Sequence, residues 1–267
     1  MFTENENRKK YLYGIGQCDP SQPLGIAGID DAPVTYIAHN SICAAVSDFG
    51  HDDFAQDIDA IALHENVLDQ LMQKFPLLPA RVGTILTENQ IAGLLDEHYE
   101  SFLADLDRVR DRVEFALKVL WPASELRSLI EHNDPYISAF AKLEKTSGPG
   151  VRYALYKRRE QAVEELLRSK AQAYMESIQG SLLPISSDAR CEMMPNDGVL
   201  LEGSYLVQRG QSTGFRGTVD SLQAQSPKFC FVITGPWPPY SFMSLNSRLM
   251  EKPAAVREIS LPSPLVH

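Results

Sequence analysis

The chain has 267 residues, 44% of them hydrophobic and 22% charged, with a net charge of -10 and a pI near 5.1. That length predicts one large or two modest domains, and that composition a folded globular chain rather than a disordered one. The acidic balance argues against nucleic acid as a partner. No apolar run reaches the roughly 20 residues of a bilayer span, and the polar start Met1–Lys10 lacks the apolar core of a signal peptide, so a cytoplasmic protein without a lipid-membrane partner is expected.

In chain order, Tyr11–Ile15 predicts a first strand, followed by a loop rich in Gly and Pro to about Pro33. Val34–Ala38 and Ile42–Val46 predict two strands joined as a hairpin through His39-Asn40-Ser41. Apolar residues from Ile58 to Phe75 recur at helical spacing and stop before Pro76. Leu77–Pro79 and Arg81–Leu86 then predict extended segments. Thr87 and Gln90 match a capping box that opens a helix reaching about Val109. These elements make a first α+β domain over residues 1–110.

Val113–Trp121 alternates as a half-buried strand that Pro122 ends. Residues 122–150 carry short helical pieces around Leu126–Ile130 and Tyr136–Leu143. From Val151 a long helix turns Leu155, Val163, Leu167, Tyr174 and Ile178 inward, with Glu164 and Arg168 paired on its outer side and Gly180 as its stop. Ala189–Met193 and Val199–Val207 follow as strands, joined by the turn Pro195–Gly198. A helix around Arg216–Gln225 and a strand Phe229–Thr234 complete the series. The order strand, helix, strand, strand, helix, strand is the split βαβ pattern, so residues 111–245 are expected to form a modified ferredoxin-like domain with helices inserted at 122–150. Residues 246–267 read as a tail.

The chemistry-bearing patterns are few. Gly14-Ile15-Gly16 starts like a dinucleotide loop, but Asp19 stands where the third glycine is needed. No phosphate loop, nucleophile elbow or His-Glu-x-x-His pair occurs. His51-Asp52-Asp53 offers cation ligands, yet reads better as a loop whose acids favour the following helix N-terminus. Arg81 is expected to pair with a carboxylate of its own fold rather than to clamp an anion. Lys157-Arg158-Arg159 reads as a solvated face interleaved with Glu160, Glu164 and Glu165. Cys18, Cys43, Cys191 and Cys230 lie far apart and read as structural thiols. No catalytic, metal-binding or cofactor-binding residues are expected.

The segment Gly235, Pro236, Trp237, Pro238, Pro239, Tyr240, Ser241, Phe242 stands out. Its three prolines are expected to end the preceding strand and to present three aromatics on a stiff backbone at low entropic cost. Trp237 is expected to pack on its own sheet, whereas Tyr240 and Phe242 are candidates for partner contact. Gly235, Pro236, Trp237, Pro238, Pro239, Tyr240 and Phe242 are therefore the candidate interaction residues.

Five pieces in order, Tyr11-Leu12-Tyr13-Gly14-Ile15, Leu77–Leu86 with its Pro79-Ala80-Arg81-Val82-Gly83-Thr84 core, Val113–Val119, Ser204–Val207 and Thr234–Phe242, give the chain its likeness. Together they resemble the gas vesicle GvpF/GvpL family over roughly residues 11–243. The resemblance implies a non-enzymatic accessory protein that binds the small hydrophobic shell subunit GvpA and assists vesicle nucleation or assembly, and it leaves open retention as a minor gas-facing wall component. The motifs do not separate the F branch from the L branch. The competing reading, a small-molecule enzyme or sensor built on the ferredoxin-like sheet, rests on fold analogy and calls for a polar pocket with convergent titratable groups.

Overall fold

The computed structural model of the chain describes residues 8–19, 21–51, 54, 57–193 and 198–244. Asp52-Asp53, the turn residues Pro195–Asp197 and the tail lie outside the described residues. The protein mixes helices and sheets, and it divides into two compact units. One comprises the described residues up to Glu114 together with those from Pro236 onward; the other is Phe115–Gly235.

The first unit is built around β1 (Lys9–Gly16), which is buried along most of its length. β1 pairs antiparallel with β3 (Ile42–Asp48) on one side and with β4 (Leu77–Pro79) and β5 (Ile85–Thr87) on the other. β2 (Thr35–His39) pairs with β3, giving the order β2-β3-β1-β4. The hairpin turn works because Asn40 accepts φ 51°, a left-handed conformation that Asn tolerates better than most residues. The β1–β3 register shifts between Leu12 and Gly14, and on the other side Gly14 lies so close to β4 that a Cβ would stand 2.5 Å from the Leu78 carbonyl oxygen.

Helix α1 (Ile58–Met72) is capped by Asp57, which accepts from the Ala60 amide, and buries Val67, Leu68 and Leu71 against Tyr11 and Tyr13. The predicted capping box is present: Thr87 and Gln90 exchange side-chain and backbone bonds at the start of α2 (Glu88–Glu97). The single helix expected to Val109 is instead two. His98 leaves helical geometry, and α3 (Tyr99–Val109) restarts beyond it with its own buried face of Phe102, Leu106 and Val109. The expected strand Arg81–Leu86 also shortens. A turn at Val82 and Gly83, the latter at φ 78°, precedes β5.

In the second unit, β6 (Arg112–Leu120), β7 (Asp188–Met193), β8 (Val199–Gln208) and β9 (Cys230–Trp237) form a sheet ordered β7-β8-β6-β9. β6 is followed by α4 (Ala123–Asn133), α5 (Pro135–Thr146) and the long α6 (Pro149–Leu182). α7 (Ser212–Gln225) lies between β8 and β9 in the chain. Phe215 of α7 stacks on Phe115 of β6 at 5.2 Å and meets Tyr205 of β8 at a tilt at 5.4 Å, which ties that helix to the sheet.

Three local expectations on α6 are corrected. The helix runs through Gly180, because buried Leu182 two residues further on gains more than the glycine costs. Tyr174 is exposed and Leu155 only half-buried, while Ala171 and Leu182 join Val163, Leu167 and Ile178 on the buried face. Glu164 pairs with Arg127 of α4 rather than with Arg168, because a helix packed alongside offers the closer cation.

The cysteines depart from expectation too. Cys18 and Cys43 form a disulfide, since β1 and β3 bring their Cα atoms to 6.1 Å, within the range a bridge spans. Cys191 and Cys230 are free thiols, and Cys230 is exposed rather than enclosed. Among the described residues no helix is long and apolar enough to cross a membrane.

Candidate partner-binding segment

The strand that should have stopped before the prolines continues through Pro236 to Trp237. β9 lies at the end of the sheet order, so a residue without an N–H breaks no ladder on its outer side. Gly235 takes φ 113°, a value that disfavours any side chain, and its carbonyl accepts from the Arg216 guanidinium. That guanidinium also sits 5.1 Å from the centre of the Phe115 ring, so both its charge and its plane are used.

Beyond Gly235 the segment turns inward. Pro236 is exposed, Trp237 half-buried, and Pro238 and Pro239 are buried. Tyr240–Phe242 forms a 3-10 turn, with the Tyr240 amide donating to Pro238 and the Phe242 amide to Pro239. Tyr240 enters the core of the first unit beside Tyr11, Leu68 and Leu71, and its hydroxyl donates to Glu65 at 3.1 Å. Burial, reinforced by the Glu65 charge, pushes the Tyr240 phenol well above its usual pKa, so it remains a donor at any physiological pH. Phe242 is completely buried. The two aromatics offered as partner contacts are thus spent on the protein's own interior.

Two buried carboxylates fix this arrangement. Glu114 accepts from both the backbone N–H and the hydroxyl of Ser241, at 2.7 and 2.6 Å. Asp105 does the same for Ser244, at 2.7 Å each, while Arg108 pairs with Asp105 at 3.3 Å and donates to the Phe242 carbonyl. Both carboxyls are fully enclosed, and charge-assisted bonds offset their loss of water. No sequence motif marks Glu114 or Asp105. The one hint is Asp105, a polar residue on the face of α3 that carries Phe102, Leu106 and Val109, whereas Glu114 falls on the polar side of the β6 alternation.

A second polar network lies in the same core. His64 is wholly buried; its Nε2 lies 3.1 Å from the Ala80 carbonyl, which can only accept, so Nε2 carries the proton. Nδ1 therefore accepts from the Tyr11 hydroxyl at 3.0 Å, and that oxygen accepts in turn from the Gly83 amide. Desolvation lowers the His64 pKa to about 4 and keeps the ring neutral. Each of its polar atoms serves to hold the turn before β5.

The other candidates gather no chemistry. Arg81 makes no ion pair with a carboxylate among the described residues, contrary to expectation; its carbonyl caps the turn by accepting from Thr84. A groove of about 670 Å³ runs along residues 22–36, lined by Leu24, Ile26, Val34 and Tyr36, with Asp31 as the one carboxylate among the described lining residues. An apolar trough with one carboxylate and one phenol is not the convergent polar pocket that the enzyme or sensor reading requires. Among the described residues no three His, Cys, Asp or Glu side chains group as metal ligands.

Residues 9–244 match the family model for gas vesicle synthesis protein GvpL/GvpF. Gas vesicle protein F of Streptomyces sp. is 30% identical over 241 residues, covering 87% of this chain and 98% of its own. Gas vesicle protein L1 of Halobacterium salinarum is 25% identical over 265 residues, covering 90% and 93%. The crystal structure of GvpF from Anabaena sp. superposes with a TM-score of 0.74 at 18% identity, covering 90% of this chain and 100% of that one. GvpF from Microcystis aeruginosa gives 0.72 at 19% identity, covering 88% and 98%. The expectation raised by the five short motifs is met over nearly the whole chain: it belongs to the GvpL/GvpF family of gas vesicle synthesis proteins.

Proposed function

We propose that this protein is a non-enzymatic assembly factor of gas vesicles that binds the hydrophobic shell subunit GvpA and assists vesicle nucleation, working in the cytoplasm at the growing vesicle. The single observation that carries the reading is the family match across residues 9–244, which makes a gas vesicle role common ground. Physical chemistry makes the finer step reasonable. A shell subunit with exposed apolar strands aggregates unless something holds it, and a net charge of -10 keeps a complex dispersed.

The candidate contact is the edge of β9. Pro236 is exposed and Trp237 half-exposed there, on a backbone stiffened by Gly235, Pro238 and Pro239 and anchored from inside by Tyr240 and Phe242. An edge strand offering an aromatic fits the addition of an extended apolar segment. We further read the second unit as a modified ferredoxin-like domain. The order β7-β8-β6-β9, with α6 and α7 following its first and third strands and α4 and α5 inserted after β6, supports that reading.

The test is co-expression with GvpA. A complex should be recovered, a deletion strain should lack buoyant vesicles, and Trp237→Ala should weaken the complex while leaving the melting temperature nearly unchanged. Normal vesicles in a strain with no duplicated relative would overturn the function. Loss of folding without any specific loss of binding would overturn the assignment of Trp237. Immunolabelling of intact and opened vesicles decides whether the protein stays in the wall.

A further inference from the structure

Of the nine large hydrophobic side chains exposed among the described residues, six lie between Leu129 and Tyr156: Leu129, Tyr136, Leu143, Val151, Tyr153 and Tyr156. Single exposed hydrophobics need no explanation, but six on three consecutive helices of one unit do. On α5, Tyr136, Phe140 and Leu143 repeat at i, i+4 and i+7, so they share one side of the helix, and the Tyr136 and Phe140 rings meet edge to face at 4.9 Å. α6, whose first two turns carry Val151, Tyr153 and Tyr156, packs against α5.

The same stretch inverts the charge of the chain. Residues 135–159 hold six basic side chains and one acid, Glu144, for a net charge of +5 within a protein of -10. Of the three acids expected to interleave with this cluster, Glu160 and Glu164 pair with Arg127 of α4, and within the stretch Glu144 pairs with Arg159. Among the described residues, no carboxylate forms an ion pair with Lys142, Lys145, Arg152, Lys157 or Arg158. Lys157 instead lies 5.8 Å above the Tyr153 ring, so cation and aromatic belong to one surface.

We propose that the α4–α6 insertion is a docking surface for an acidic amphipathic helix of a protein partner. The apolar row at helical spacing receives the partner's apolar face, and the unpaired cations meet its carboxylates. The combination favours a helix over a nucleic acid: Tyr, Leu and Val at i, i+4, i+7 match ridge-in-groove packing, whereas a polyanion needs charge but no aliphatic stripe. Tyr and Arg are also the side chains that anchor protein interfaces. This surface is separate from the edge of β9, and either assignment can fail without the other.

The experiment titrates the whole chain against a short helical peptide with leucines on one face and glutamates on the other. Saturable binding should weaken with salt, and an acidic peptide of the same composition with its leucines scattered should bind about tenfold more weakly or worse. Reversing Lys142, Lys145 and Lys157 to Glu, or changing Tyr136 and Leu143 to Ser, should each cost about tenfold; these side chains are exposed, so the melting temperature should hold. No binding to the amphipathic acidic peptide, equal binding of the scattered one, or preference for a lysine-faced peptide would overturn the proposal. So would tighter binding to phosphatidylglycerol vesicles or single-stranded DNA that the same charge reversals abolish. Should a variant unfold, the peptide comparison on the unaltered chain still decides.

Discussion

Glu114 shows how much one buried carboxylate can organise. It holds the Ser241 amide and hydroxyl across 127 residues of sequence, and it does so in a place without water. Glu114→Gln keeps the shape but puts an NH2 where one of two acceptors is needed, so it should destabilise the first unit by about 1–3 kcal/mol, read from urea denaturation. Ser241→Ala, which removes the hydroxyl and spares the amide bond, should cost about 1 kcal/mol. An equal loss in the two variants would show that the amide contact contributes little. His64 gives a pH signature with a definite sign. Its folded pKa of about 4 lies below the ordinary 6.5, so between those values the unfolded chain binds a proton that the folded one refuses. Its contribution is therefore intact above about pH 6.5 and shrinks as the pH falls toward 4. From pH 7 to pH 5 it should remove about 2 kcal/mol, and His64→Gln should flatten that part of the profile. An unchanged slope in the variant would assign the pH dependence to other groups.

At the scale of elements, the clearest test is the glycine that failed to stop α6. Gly180 is exposed, sits inside the helix, and has nothing within 4 Å of where a Cβ would be. Gly180→Ala should therefore stabilise the protein by about 0.5–1 kcal/mol, visible as a rise in melting temperature. A fall would mean that the helix ends there in solution. The same residue shows what a sequence can and cannot disclose. Local signals were legible: the Thr87–Gln90 box, the Asn40 turn, the alternation of Val113–Trp121 and the helical spacing after Ile58 each need only their neighbours in the chain. The His98 break, the strand running through Pro236 and the Cys18–Cys43 bridge depend on where distant elements lie. Pro236 is allowed because β9 is an edge, and no window of sequence carries that information. The candidate segment divides along the same line. Its stiffness could be read from its prolines, whereas the burial of Tyr240 and Phe242 follows from Glu65, Glu114 and Asp105, which no motif connects to it.

For the whole molecule, the chain path is the instructive feature. The backbone leaves the first unit at Glu114, builds the second from Phe115 to Gly235, and then returns to finish the first. The returning piece is short, but it carries Tyr240 and Phe242 into a core and fills both clamps at Glu114 and Asp105. Truncation after Gly235 removes no residue of the second unit, yet it should damage the first. It opens a cavity where two aromatics packed, worth about 3–5 kcal/mol for each, and strands two buried carboxylates without the amides they hold. That loss rivals the entire stability of a small domain. Hydrogen exchange should therefore show β1, β3 and α1 losing protection in the truncated chain while β7, β8 and α7 keep theirs. A cut chain in which both sets stay protected would mean that the first unit closes without its last strand of sequence, and that the proline segment is held ready for a partner rather than built into the fold.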